Sequence, residues 1–232
     1  RREGPEKLRF NEKDMANICP MTHTQQEAFN AFYEENHLAM LGSAGTGKTF
    51  IGMYLGLKDV LKRYYSKMII IRSATPSKDI GFLPGSLEEK MQVYEQPYKI
   101  ICDALLPKHY NNYDNLKKKE YIDFMSTSYL RGLTFDDSII LIDEFQNLSM
   151  AEFHTVMTRI GENSRLIICG DVLQTDLDKR NQPDWAKLIK TINNMPSVES
   201  VNFTRNDIVR SGLVKEWLNA LEDTGMYSSI AY

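Results

Sequence analysis

Two short stretches of this chain carry residues whose chemistry needs a partner. The first, "GSAGTGKT" at residues 42–49, fits the spacing G-x-x-x-x-G-K-[ST]. Gly42, Gly45 and Gly47 let backbone N–H groups turn inward around phosphate oxygens, and Ser43, Ala44 and Thr46 complete the cradle. Lys48 can reach the β- and γ-phosphates, and the Thr49 hydroxyl can ligate Mg²⁺. A chance match in a chain of this length is on the order of one in a hundred. The second stretch, "SIILIDEFQNLS" at residues 138–149, runs apolar residues straight into Asp143 and Glu144. Side-by-side carboxylates can hold a metal, move a proton or sit solvated at a strand's mouth. Downstream of a phosphate loop, Asp143 is placed to hold Mg²⁺ and Glu144 to polarise an attacking water as general base. The pair therefore reads as hydrolytic machinery and not as a two-metal site.

Four further short stretches narrow the chemistry. Gln146 follows the acids, and Gln174 in "CGDVLQ" falls just past the next apolar run, where a γ-phosphate sensor would sit. Gln25, in "THTQQEAF", can read an adenine edge with its amide. Arg205 and Arg210, in "FTRNDIVRSGLV", lie near the end of the last apolar run, where they can meet phosphates or make surface ion pairs.

These residues need a scaffold that brings loops together. Thr22 or Thr24 can cap a helix through about Glu35. "HLAML" reads as a buried strand, followed by the glycine-rich turn and a helix from Lys48 to about Tyr64. "KMIIIR" is a second strand, and Ser86 with Glu89 can form a capping box for a helix towards Leu106, broken near Pro97. "PKHYNNYDNLKKKE" reads as a polar loop. A strand at residues 122–126, "SIILID", a helix from Met150 to Arg159 and "RLIIC" follow. "DWAKLIKTI" is an amphipathic helix, "VESVNF" the last strand, and residues 208–221 a closing helix. Short, continuously apolar strands alternating with helices mean parallel βαβ units covered on both faces. The expected fold is an α/β, RecA-like P-loop NTPase domain over residues 19–222. A flexible arm is expected at residues 1–18 and a tail at 223–232.

Composition is compatible with this. The 232 residues are 42% hydrophobic and 25% charged, with a net charge of −3, which speaks against a uniformly basic nucleic-acid coat. The apolar runs are too short to cross a bilayer, so no membrane association is expected, and the charged start shows no signal peptide. Three scattered cysteines (Cys19, Cys102, Cys169) without a CxxC pair suit a reducing cytoplasm. His23, His37, His109 and His154 have no ligand spacing.

Taken together, the phosphate loop, "IRSATPSKDIGFLPGSLEEKMQVYEQPY", "TSYLRGLTFDDSIILIDEFQN", "TRIGENSRLIICGDVLQTDL" and "DIVRSGLV" resemble the PhoH-like family of P-loop ATPases. Its core looks like the first motor domain of superfamily 1 helicases. The resemblance spans about Cys19 to Leu221 and implies ATP binding and hydrolysis. Lys48, Thr49, Asp143, Glu144 and Gln174 would take the motor roles and Gln25 the adenine contact. The family is associated with phosphate starvation and, where fused to a nuclease, with RNA unwinding and cleavage. The chain has no room for that nuclease, which suits a bacteriophage or stand-alone bacterial member. It departs from the family pattern at Phe145, where a small residue is common, and at Ser211, where a histidine often stands.

A superfamily 1 motor draws an arginine from a second domain, so a head-to-tail homo-oligomeric ring, for instance a hexamer, is expected here. In it Arg210, or else Arg205, would reach the neighbour's γ-phosphate. Arg72, Ser73 and Thr75 after a core strand are expected to touch the phosphates of RNA or single-stranded DNA. Lys58, Lys62, Arg63 and Lys67 add local charge that equally suits a solvated helix face. Two competing readings stand beside the ATPase. A P-loop kinase would need an acceptor pocket and a mobile arginine-rich lid, and no convincing lid is evident. A nucleotide-gated switch with little turnover is the other, although "NQPD" misses the lysine of a guanine-binding N-K-x-D.

Overall fold

The computed structural model describes residues 10–73, 87–171 and 182–226. Six strands form one sheet: β1 (His37–Gly42), β2 (Lys67–Arg72), β3 (Ile122–Ser126), β4 (Ser138–Ile142), β5 (Arg165–Gly170) and β6 (Val198–Phe203). Every pairing is parallel, in the spatial order β3-β2-β4-β5-β1-β6. The apolar runs explain this directly, since a parallel sheet covered on both faces has no solvated side to alternate towards. Within the runs, side chains still divide with a period of two. Leu38, Met40, Met68, Ile70, Ile139, Leu141 and Ile167 face one core, which is closed by the helices α1 (His23–Tyr33), α2 (Lys48–Leu61), α3 (Leu87–Leu105) and α4 (Asn112–Lys118). Ala39, Leu41, Ile69, Ile71, Ile140, Ile142 and Ile168 face the other core, against α5 (Met150–Met157) and α6 (Trp185–Asn193). A last helix, α7 (Gly212–Asp223), buries only Leu221. This is the expected α/β arrangement of a P-loop NTPase.

One strand, β5, separates β1 from β4. The segments leaving β1, β4 and β5 therefore emerge side by side at the carboxyl edge of the sheet, where open α/β sheets place their ligand crevices.

Several elements differ from the sequence reading. The expected polar loop at residues 107–120 contains α4, because Asn112, Tyr113 and Leu116 turn inward while the lysines ride outside. Asn112 Nδ2 donates to Asp103 Oδ1 at 2.9 Å and to the Leu106 carbonyl at 3.1 Å, fastening the new helix to the end of α3. Pro97 does not break α3. Burial of Tyr98, Cys102 and Leu105 on that helix offsets the hydrogen bond the proline removes. The closing helix starts at Gly212, four residues later than expected, after a single 3₁₀ turn over Arg205–Asp207 capped by Thr204. Residues 10–18, read from sequence as part of a flexible arm, pack on the domain. Phe10 is buried against the His109 ring, and the Ala16 N–H donates to the Leu105 carbonyl at 2.7 Å. The Ser86–Glu89 capping box lies outside the described residues. Among the described residues no helix is long and apolar enough to cross a membrane.

Candidate active site

A cleft of about 810 Å³ opens at the carboxyl edge of the sheet, with the phosphate loop on one side and Asp143, Glu144 and Asp171 on the other. The loop is fixed by its neighbours as well as by its own sequence. Gly42 has φ +112°, and any Cβ there would overlap the Phe203 carbonyl of β6. Gly47 starts α2 in the left-handed region at φ 86°, which only glycine adopts without strain. Outside the loop, the Val209 N–H donates to the Gly45 carbonyl at 3.1 Å and Gln25 Nε2 to the Thr46 carbonyl at 3.0 Å.

Lys48 Nζ sits in the cradle, donating to the Gly42 and Ser43 carbonyls at 2.7 Å each. Burial lowers its pKa, and the charges of Asp171, Cys169, Glu144 and Asp143 act against that. A buried ammonium ringed by carbonyl oxygens and acids is poised to exchange those partners for phosphate oxygens.

Thr49 Oγ1 donates to Asp143 Oδ1 at 2.8 Å across 94 residues of sequence, and the Tyr98 hydroxyl donates to Asp143 Oδ2 at 2.8 Å. Burial, and then the charge of Glu144, raise the Asp143 pKa to about 6. Hydrogen bonds from Thr49 and Tyr98 and the charge of Arg72 oppose the rise. Glu144 holds a left-handed backbone, φ 52° and ψ 46°, a conformation that costs an ordinary residue roughly 1–3 kcal/mol and that clusters at functional sites. Its carboxylate accepts from Gln146 Nε2, while Gln146 Oε1 accepts the Asp171 N–H at 3.0 Å. Gln146 thus ties the acid after β4 to the backbone after β5.

The other expected residues divide. Gln25 is buried against the loop, and its Oε1 also accepts the Met21 N–H at 2.7 Å. Arg210 lines the cleft of its own chain, with Cγ only 3.1 Å from where a Cβ on Gly45 would stand. Arg205 instead forms a surface ion pair with Asp223 at 2.6 Å. Arg72 and Ser73, expected at a polymer's phosphates, are half-buried and buried. Arg72 lines the same cleft and turns towards Tyr98, Glu144 and Asp143. Lys58 packs on Tyr54, Lys62 pairs with Glu12 and Arg63 covers Tyr121, as befits a helix face and its flank. Gln174 and Thr75 lie outside the described residues.

The profile of the family described as "PhoH-like protein" matches residues 17–222. The chain belongs to the PhoH-like family. The PhoH-like protein of Bacillus subtilis is 31% identical over 200 residues, covering 85% of this chain and 62% of that protein. Protein PhoH of Escherichia coli is 27% identical over 209 residues, covering 90% of this chain and 59% of that one. This PhoH-like chain therefore spans about three-fifths of the length of these relatives. Among solved structures it is similar to the SWI2/SNF2 ATPase core of Sulfolobus solfataricus in complex with dsDNA. That likeness has a TM-score of 0.44 and 14% identity, over 84% of this chain and 47% of the other. A further likeness is to the Pif1 helicase of Candida albicans, with a TM-score of 0.38 and 14% identity, over 82% of this chain and 42% of that one.

Sequence reasoning missed or misplaced three residues in or behind this PhoH-like cleft. Asp171 follows β5 as Asp143 follows β4, so the signal used for one acid was present for the other. Arg72 was read as a contact for a polymer's phosphates and lines this cleft instead. Tyr98 carried no signal of its own, because Tyr94 and Tyr98 at helical spacing look like ordinary packing.

Proposed function

We propose that this PhoH-like chain is an Mg²⁺-dependent ATPase that couples hydrolysis to RNA or single-stranded DNA. The observation that carries the reading is the Thr49–Asp143 contact beside a buried Lys48. It joins the loop suited to phosphates and the acid suited to a metal into one site. The donors fit Mg²⁺, a hard cation that keeps waters and substrate phosphates in its shell: a hydroxyl and a carboxylate are offered, and the described residues include no closed cluster of metal ligands. Thr49 and Asp143 would hold the ion, which would offset charge on the phosphates. Lys48 grips phosphate oxygens, the loop's N–H groups orient them, and Glu144, aimed by Gln146, takes the proton from an attacking water.

Arg210 is proposed to serve the phosphates of the cleft it already lines, a role in cis that replaces the one in trans expected from sequence. Gln174 as γ-phosphate sensor and Gln25 as adenine contact are retained as proposals. Association into a ring is supported by α7, which exposes Leu213, Val214 and Trp217.

ATPase assays with site variants test this reading. Lys48→Ala should lower turnover by about 100-fold or more. Glu144→Gln should lower single-turnover hydrolysis by a similar factor while ATP still binds. If Glu144→Gln hydrolyses at the wild-type rate, the general-base assignment fails. Binding to single strands should weaken steeply with salt. Absence of any such binding removes the polymer from the proposal.

A further inference from the structure

The Tyr98 side chain is fully buried 45 positions before Asp143 in sequence, and nothing in the hydrolytic scheme above uses it. Its surroundings are specific. The hydroxyl donates to Asp143 Oδ2 at 2.8 Å, and the charge of Arg72 lies close to it. A phenol has one proton, so with that proton on Asp143 a guanidinium can approach the hydroxyl only as a donor. On the same face of α3, one turn earlier, the Tyr94 ring lies under the Arg72 guanidinium at 5.8 Å. The result is a carboxylate held from two sides, with Tyr98 donating to Oδ2 and Thr49 to Oδ1, and with the Arg72 charge nearby. A core tyrosine needs one partner for its hydroxyl, and here that partner belongs to the cleft. The ring itself packs on Phe124 with centroids 5.7 Å apart, so α3, β3 and the acid after β4 are locked together at this point.

We propose that Tyr98 is a positioning residue for the metal-holding carboxylate. It fixes Asp143 Oδ2, so that Oδ1 is left directed at Thr49 and the phosphate loop. This rests on the ATPase reading, and in particular on Asp143 and Thr49 as the residues that would hold Mg²⁺. It adds that α3 sets how well they do so. An Asp143 released from Tyr98 could rotate about χ2 and lose its alignment with Thr49. Groups that orient a metal ligand from behind are typically worth about 10- to 100-fold in metal affinity.

The test is Tyr98→Phe in the full chain, read by binding instead of turnover. The affinity of a fluorescent ATP analogue is measured with Mg²⁺ and with EDTA, for wild type and variant, alongside thermal unfolding. Phenylalanine keeps the ring and its packing on Phe124, so the expected variant is folded and binds the analogue in EDTA as wild type does. The gain in affinity on adding Mg²⁺ should shrink about tenfold. A Mg²⁺ gain equal to that of wild type overturns the proposal. So does an equal loss with and without the ion, which would mark Tyr98 as a packing residue only. If wild type itself gains nothing from Mg²⁺, the ATPase reading fails first, and that outcome is seen before the variant is examined.

Discussion

At the scale of single residues, the site depends on small groups that keep large ones in register. Gly170 closes β5 directly beneath Gln146, and a Cβ there would overlap Gln146 Oε1 and the Phe145 ring. Both neighbours are buried, so neither can move aside freely. Gly170→Ala is therefore expected to cost about 1–3 kcal/mol through overpacking, seen as a fall of a few degrees in Tm. It should also displace Gln146 from Glu144 and lower single-turnover hydrolysis, while ATP analogue binding changes little. If Tm falls but hydrolysis per folded molecule is unchanged, Gln146 does not orient the base. Phe145, read from sequence as a departure from the family pattern, has a packing role here. Its ring packs edge-on against Trp185 of α6 at 5.8 Å and near Phe153 of α5 at 6.3 Å, so it anchors the turn that carries Glu144 and Gln146.

At the scale of elements, pairing between strands brings in side chains as well as backbone. His37 opens β1 and accepts the Leu166 N–H of β5 on Nδ1 at 3.1 Å, a bond only an unprotonated nitrogen can make. Burial, and then the charge of Arg165, lower its pKa from the ordinary value near 6.5. The folded chain then binds fewer protons than the unfolded chain as pH drops below about 6.5. This contribution to stability is complete above that value and is lost as pH falls through the lowered pKa. Urea unfolding between pH 7.5 and 5 should show a steeper loss for wild type than for His37→Asn, whose amide oxygen can accept without titrating. Equal slopes would show that His37 binds its proton alike in the folded and unfolded chain. The four central strands were legible in the sequence because their apolar runs are unbroken, and α2 because a phosphate loop must lead into a helix. α4 was not legible: its inward residues are Asn112, Tyr113 and Leu116, and two of these three carry polar groups. Pro97 misled for a similar reason, since propensity argues for a break while buried tyrosine and leucine on α3 argue against one. Lys48, Thr49, Asp143 and Glu144 could be singled out because their spacing reports mechanism, and the fold brings them into one cleft. The place of Tyr98 and Arg72 beside Asp143 could not be read, because only the packing of α3 against the end of β2 turns them inward.

At the scale of the whole molecule, the proposed association of copies is tested by where Arg210 acts. Arg210 lies against Gly45 of its own chain, so its charge belongs to its own cleft unless a neighbour intrudes. Mixing Lys48→Ala with Arg210→Ala protein is therefore expected to give no more ATPase activity than the sum of the two alone. Recovery on mixing would return the arginine to a role between subunits. Association itself is measurable by sedimentation with a non-hydrolysable ATP analogue. Trp217→Ser, at a position 61% exposed on α7, should weaken any assembly without lowering Tm. The order of strands also bears on how the chain reaches its working form. The phosphate loop leaves the ribosome early and both acids follow, yet β1 and β4 touch only through β5, which comes later. A nascent chain halted before residue 165 would hold nearly all the chemistry but lack the strand that joins β1 to β4. Protection of such truncated chains from protease by ATP should appear only once β5 has been added, making nucleotide capture a late event in folding.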